Sequence, residues 1–337
     1  MILALLAEAE TAGARLRAAC DVLGLSARTV ERWRARPDGD DRRCGPRHQP
    51  PNALSAVEQA RVLTIMTSPQ YRDLSPKQVV PQLADRNIYL ASESTLYRLQ
   101  HRFGLRRQKR GLRRVCVARA SAVHRATGPN QVWSWDITWL PTVVRGRYIY
   151  LYLVMDVWSR RIVGWNVCER ESPEEAATLI QRICSEAGID PRGLVLHSDN
   201  GKPMRGATMI ATLQWLGVVP SFSRPHVSND NPYSEALFRT LKHTPAYPKL
   251  PFTSAIEVCQ WVQRFVSWYN AEHRHSGIRY VTPNERHSGL DVAILAKRHE
   301  LYERARRRRP ERWSCGTRNW TPIGVVTLNP EPQQLAA

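Results

Sequence analysis

Apolar residues fall at helical spacing through the first hundred positions. They shift to strand-like runs between 132 and 222, and return to helical spacing after 254. In the first stretch, Arg15–Leu23 has a helical pattern that Gly24 breaks, and Ser26 is placed to cap a helix over 27–34. Ala19, Leu23, Val30 and Trp33 would form its apolar side. Residues 1–36 thus predict a helix-turn-helix module offering Arg28, Thr29 and Arg32 to DNA, the alternative being a helical module that only binds protein. Residues 37–52 read as a linker rich in Asp, Arg, Pro and Gly. Residues 53–104 predict a second helix-turn-helix-like module. There Ser75-Pro76-Lys77-Gln78 has the form of a capping box, Pro81 should kink the helix or shift its start, and Ser92 opens a helix bearing Thr95, Tyr97 and Arg98.

The middle of the chain alternates legibly. Strands are expected at 132–138, 147–157, 162–168, 194–197 and 218–222. Helices are expected from Pro173 to about Ala187, closed by Gly188, from Arg205 to Leu216, closed by Gly217, and after Asn231. Three strands in meander followed by strand–helix units predict an α/β core, a mixed sheet flanked by helices. Ser254–Tyr269 has helical spacing and should pack on that sheet. Residues 128–290 are taken as this core, 105–127 as a basic linker and 291–337 as a basic tail.

Charge narrows the function. The formal net charge is +19 and the isoelectric point about 10.2, which calls for a polyanionic partner, nucleic acid first. Between His101 and Arg125 stand nine Arg or Lys and no acid, Arg106, Arg107, Lys109 and Arg110 among them, a run suited to tracking a phosphate backbone. Arg304, Arg306–Arg309 and Arg312 form another such cluster. No apolar run is long enough to span a bilayer, and the apolar start reads poorly as a signal peptide. The seven scattered cysteines contain no Cys-x-x-Cys, which fits a reducing cytoplasm and argues against structural zinc.

Three acids stand out. Asp136 lies inside the apolar run Val132–Trp139, Asp199 ends a strand in His197-Ser198-Asp199-Asn200-Gly201, and Glu235 falls one turn into the helix entered through Asn231-Pro232. Three carboxylates from separate elements that can converge make a site for hard divalent cations. Asp199 and Glu235 are separated by 35 residues. With Asp136, Ser223-Arg224-Pro225, Ser228–Glu235, Trp268-Tyr269-Asn270 and His275–Pro283, this spacing resembles the Asp-Asp-35-Glu pattern of bacterial insertion-sequence transposases and retroviral integrases, the bacterial branch in particular.

The resemblance implies a ribonuclease-H-like fold with Asp136 and Asp199 on neighbouring strands. It also implies two magnesium ions, with manganese as a substitute, Asp136 bridging them while Asp199 and Glu235 each hold one. The implied activity is cleavage at element ends and transfer of the freed 3′-hydroxyl to a target phosphodiester. Implied partners are double-stranded DNA (terminal repeats and target), further copies of the chain and a companion helix-turn-helix protein, in a bacterial cytoplasm at the nucleoid. Lys242, two helical turns beyond Glu235, is implied to touch DNA, and Asn200, flanking Asp199, either orients it or touches the DNA phosphate. His197 either orients Asp199 or is a satisfied core histidine. Asp156, followed by Arg160 and Arg161, is expected in a structural ion pair, and Asp230 as a loop or cap residue. The tryptophans of the strands are expected in the core. A metal-dependent nuclease without strand transfer, or a non-catalytic DNA-binding regulator, is the alternative function.

Overall fold

A computed structural model describes residues 2–35, 50, 52–105, 123–224 and 230–330. The chain forms two compact units, Met1–Ala53 and Leu54–Ala337.

In the first unit, α1 (Ile2–Thr11), α2 (Leu16–Val22) and α3 (Ala27–Ala35) enclose a small core of Leu6, Cys20 and Val30. Ser26 accepts the Thr29 N–H at 3.2 Å, as its capping position predicts. Leu23 and Trp33 are exposed, contrary to the expected apolar side, because α1 supplies Leu6 in their place. Arg34 closes the unit with an ion pair to Glu10.

The second unit opens with α4 (Ala56–Thr67), α5 (Pro76–Asp85) and α6 (Glu93–Arg102). The Gln78 side chain accepts the Ser75 N–H at 3.2 Å, and Pro81 sits inside α5. Strands β2 (Val132–Pro141), β3 (Tyr148–Asp156), β4 (Ile162–Cys168), β5 (Val195–Ser198) and β6 (Val219–Phe222) make one sheet in the order β4-β3-β2-β5-β6. The meander β2-β3-β4 is antiparallel, and β5 and β6 are added parallel to β2. This five-stranded mixed sheet between helices is the ribonuclease-H-like arrangement.

Period-two alternation assigns the two faces. Trp133, Trp135, Tyr152 and Val154 meet α7 (Pro173–Ala187) and α9 (Ala207–Leu216) on one side. Leu140, Leu151, Leu153 and Met155 meet α10 (Pro232–His243) and α11 (Ala255–Ala271) on the other. Gly188 and Gly217 end α7 and α9 at φ +59° and +71°, left-handed positions that glycine takes at no steric cost. The helix expected over 205–216 is α9, which starts two residues later, and a separate single turn, α8 (Lys202–Arg205), precedes it across Gly206. A Cβ at Gly206 would lie 2.4 Å from Pro173, so the close approach to α7 fixes the break.

Residues 291–337 differ most from expectation. Instead of a basic tail they supply the 18-residue α13 (Asp291–Arg308), after the short α12 (Pro283–His287); beyond Trp313, where the sequence reads as strand-like or extended, comes β7 (Val326–Leu328). β7 pairs antiparallel with β1 (His124–Ala126). Leu295, Leu301, Tyr302 and Trp320 share a core with α4–α6, so the helices of 54–102 join the same compact unit. Among the described residues, no helix is long and apolar enough to cross a membrane.

Candidate active site

The register of two strands brings the first two acids level. β2 and β5 run parallel with Ser134 opposite His197. Asp136 and Asp199 each lie two residues further along, so they fall in one row on one face of the sheet. That face is the one α10 covers. Its entry is fastened there by buried polar contacts: Ser134 Oγ donates to Asn231 Oδ1 at 2.6 Å and lies 2.6 Å from Ser234 Oγ. Asn231 Nδ2 donates to the Trp135 carbonyl at 3.1 Å. Glu235 follows Ser234 directly, and its N–H returns to the Asn231 carbonyl at 3.2 Å.

The acids feel one another. Asp136 is half-buried, and desolvation first, then the charges of Asp199 and Glu235, push its carboxyl up to about 7. The Ile137 N–H, donated at 2.8 Å, offsets part of this. Glu235 is raised by burial and by Asp199, while Arg239 opposes the shift. Glu171 adds a fourth negative charge near Asp136, and its carboxylate accepts the Trp139 indole N–H at 2.6 Å. Asp199 accepts from Ser223 Oγ at 2.8 Å. Unneutralised carboxylates gathered in a partly desolvated place suit a hard cation, and all three supply oxygen donors. Among the described residues, no three His, Cys, Asp or Glu side chains stand close enough together, as placed, to hold one metal ion.

Neighbouring residues separate into structural and exposed. His197 is buried, its Nδ1 2.9 Å from Ser221 Oγ and its Nε2 2.9 Å from the Asp230 carbonyl. Burial holds its imidazole below the ordinary histidine range, so it is a satisfied core histidine that braces the approach to α10. Asn200 donates through Nδ2 to the Ser223 carbonyl, and its Oδ1 is buried with no hydrogen-bond partner. Lys242 is exposed. Asp230 accepts from Arg224 at 2.9 Å and is lowered by that guanidinium, a loop clasp in keeping with the expected role.

Asp156 corrects the expected ion pair. It is fully buried and accepts the Asn130 N–H, the Ser159 N–H and Ser159 Oγ, each at 2.7 Å. Arg160 turns instead to the Val157 carbonyl at 2.6 Å, because the β3–β4 turn needs its backbone donors and acceptors satisfied. Of the tryptophans, Trp133 and Trp135 are core, whereas Trp139 is 53% exposed.

The remaining candidates lie away from the acids in sequence. Arg28 and Arg32 are exposed one turn apart on α3, and Thr29 Oγ1 is engaged with Ser26 at 2.8 Å. On α6 the exposed Arg98 donates to Thr95 Oγ1 at 3.0 Å. Arg106, Arg107, Lys109 and Arg110 lie outside the described residues. Ser134, Ser223, Asn231 and Ser234 were not singled out as site residues. Ser223, Asn231 and Ser234 fall within the motif segments that carry the resemblance, but the contacts that give them a role depend on a register that spacing does not show.

Two family models match this part of the chain, both described as integrase core domain, over residues 126–228 and 216–283. Residues 126–283 are therefore an integrase core domain on a ribonuclease-H-like sheet. Over these residues the chain is similar to the family that shares this core. It is 30% identical over 164 residues to the transposase for insertion sequence element IS904 of Lactococcus lactis, covering 48% of this chain and 63% of that one. It is 33% identical over 117 residues to the transposase InsF for insertion sequence IS3A of Escherichia coli, covering 35% and 40%. A putative transposase for element IS986/IS6110 of Mycobacterium tuberculosis is 27% identical over 218 residues, covering 60% and 76%. The chain thus spans less than two thirds of the first two relatives. Among solved structures, a simian T-cell lymphotropic virus intasome chain is similar at 17% identity and a TM-score of 0.42, covering 63% of this chain and 74% of that one.

Proposed function

We propose that this chain is a DNA transposase: it cuts at the ends of an insertion sequence and joins the freed 3′-hydroxyl to a target phosphodiester. The observation that supports this most is the placing of Asp136 on β2 and Asp199 just past the end of the adjacent parallel β5, with α10, the helix of Glu235, fastened against the same face. The three carboxylates would hold divalent cations, magnesium for preference and manganese in its place. Such ions supply charge neutralisation at the phosphate and an acidified water or hydroxyl as nucleophile.

The residues of the chain do the rest. Ser223 fixes the orientation of Asp199 through its 2.8 Å hydrogen bond, and the Ser134–Asn231–Ser234 cluster fixes the start of α10 and so the station of Glu235. Lys242, exposed two turns beyond Glu235 on α10, and Asn200, next to Asp199, would touch DNA beside the acids. Arg28, Thr29 and Arg32 on α3, and Thr95 and Arg98 on α6, would contact the element ends, with Arg106, Arg107, Lys109 and Arg110 following the backbone. In joining, the 3′-oxygen bonds to the target phosphorus as the bond to the target's own 3′-oxygen breaks, so phosphodiesters are exchanged with no net hydrolysis. Several copies of the chain on paired DNA ends, a companion helix-turn-helix protein and a place at the bacterial nucleoid complete the proposal.

A strand-transfer assay with labelled element ends in magnesium, wild type beside Asp199→Asn, tests it. The wild type should yield labelled product joined to target, and Asp199→Asn should bind the ends yet join none. Release of hydrolysed ends alone by the wild type would replace transposase with nuclease, and equal joining by the variant would remove Asp199 from the chemistry.

A further inference from the structure

One group of charges remains that the acidic site does not use. The side of α4 and the end of α13 enclose an open cleft of about 320 Å³. Its lining includes Arg61 from α4 and Arg304, Arg308, Arg309 and Arg312 from α13 and the turn after it. Glu58 is the single acid of that lining, and it is committed to Arg312 at 2.9 Å, which with the Ser55 N–H holds its carboxyl down at about 2. Arg304 is steadied by Asn87 at 2.7 Å. Tyr89 and Trp313 stack at the cleft with ring centroids 5.4 Å apart, stiffening its wall.

A helix C-terminus favours a cation or two, since its dipole amounts to about half a negative charge. Five guanidiniums against one carboxylate exceed that by far. They are brought together from segments more than two hundred residues apart, and Arg61, Arg304, Arg308 and Arg309 remain exposed. Arg309 has Glu311 beside it at 3.7 Å, yet the cleft still gathers more guanidiniums than carboxylates, and cations held that close repel one another, so the fold tolerates them best when a polyanion lies across them. Guanidinium forks match phosphate oxygens in pairs.

We propose that this cleft is a second DNA-binding site that grips the phosphate backbone of duplex DNA without reading its sequence. It rests on the DNA-processing function proposed above and adds to it a hold on DNA by residues other than those of the acidic site and the two candidate recognition helices. Because α13 shares a core with α5 and α6, a duplex held here is held by the same rigid body that carries Thr95 and Arg98.

The test is fluorescence anisotropy of the full chain with a labelled duplex of arbitrary sequence over a range of salt. Arg308→Ala with Arg309→Ala removes two cleft charges, and Arg306→Ala with Arg307→Ala removes two charges from the same helix outside the cleft lining. The cleft pair should lower the slope of log affinity against log salt by about 2, one per lost phosphate contact, and equally on any sequence. Arg61→Ala, on the opposite wall, should lower it by about 1, while the control pair changes it by less than about 0.5. Thermal melting of each variant shows that the comparison is between folded proteins, and Arg61→Ala leaves α13 untouched. A control pair that loses as much slope as the cleft pair, or an Arg61→Ala that loses none, overturns the cleft. A wild type that shows the cleft-dependent slope but joins no ends would instead overturn the transposase function and leave the cleft standing.

Discussion

At the scale of single residues, the acidic site is defined by what its side chains cost when no cation is present. The Asp136 carboxyl is raised from 3.8 to about 7, so the folded protein holds that proton more tightly than the unfolded chain. The sign follows: with metal chelated, stability should fall as pH climbs from about 4 to about 7 and level off above. Asp136→Asn keeps an acceptor for the Ile137 N–H and cannot ionise. It should therefore abolish joining while stabilising the metal-free protein at pH 8 by about 1–3 kcal/mol, after discounting for solvent screening. Melting curves in chelator at pH 4 and pH 8 decide it, because a gain that does not change with pH would mean burial and like charge are not the cause. Ser223→Ala makes a different point. It removes the hydrogen bond to Asp199 without touching a carboxylate, so the magnesium concentration for half-maximal joining should rise about tenfold while the rate at saturating magnesium stays near wild type. An unchanged magnesium requirement would show that Ser223 does not orient Asp199.

At the scale of elements, the buried start of α10 is the joint between fold and site. Asn231 is fully buried and bonds both Ser134 and the Trp135 carbonyl, so Asn231→Ala takes a partner from each, leaving the Ser134 hydroxyl with Ser234 alone. It should cost about 1–3 kcal/mol in denaturant unfolding and reduce joining more than DNA binding. Loss of stability with full joining would mean that Glu235 is stationed by other contacts. The strands feeding this joint were legible in the sequence, because Val132–Thr138 and Ile162–Cys168 alternate or run apolar between clear turn signals, and the three acids were legible through their spacing. What stayed illegible depends on distant partners. The break between α8 and α9 is set by Pro173 against Gly206, and the exposure of Trp33 by Leu6 arriving from α1. The turn role of Asp156 is set by Asn130 and Ser159, although the neighbouring arginines offered a simpler electrostatic partner.

At the scale of the whole molecule, sequence reasoning treated 291–337 as a tail because a run of arginines outweighs a sparse apolar pattern, yet that stretch completes a core. Arg298 shows how. It is fully buried, donates to both Asp85 oxygens at 2.6 and 2.9 Å, and also donates to the carbonyls of Arg279 and Tyr280. One guanidinium thus ties α5, the turn before α12 and α13 together. A charge this deep is tolerated only because each donor is matched. Arg298→Met keeps much of the volume but strands those acceptors, while Asp85 retains Arg274 at 3.1 Å. The loss should be about 2–3 kcal/mol, short of that for a buried charge left wholly unpaired. It should also be local: hydrogen exchange ought to quicken in both α5 and α13 while α7, which packs on the far face of the sheet, keeps its protection. Protection lost evenly across all three helices would mean that the second unit opens as one cooperative body. Protection lost in α13 alone would mean that Arg298 anchors its own helix without joining it to α5.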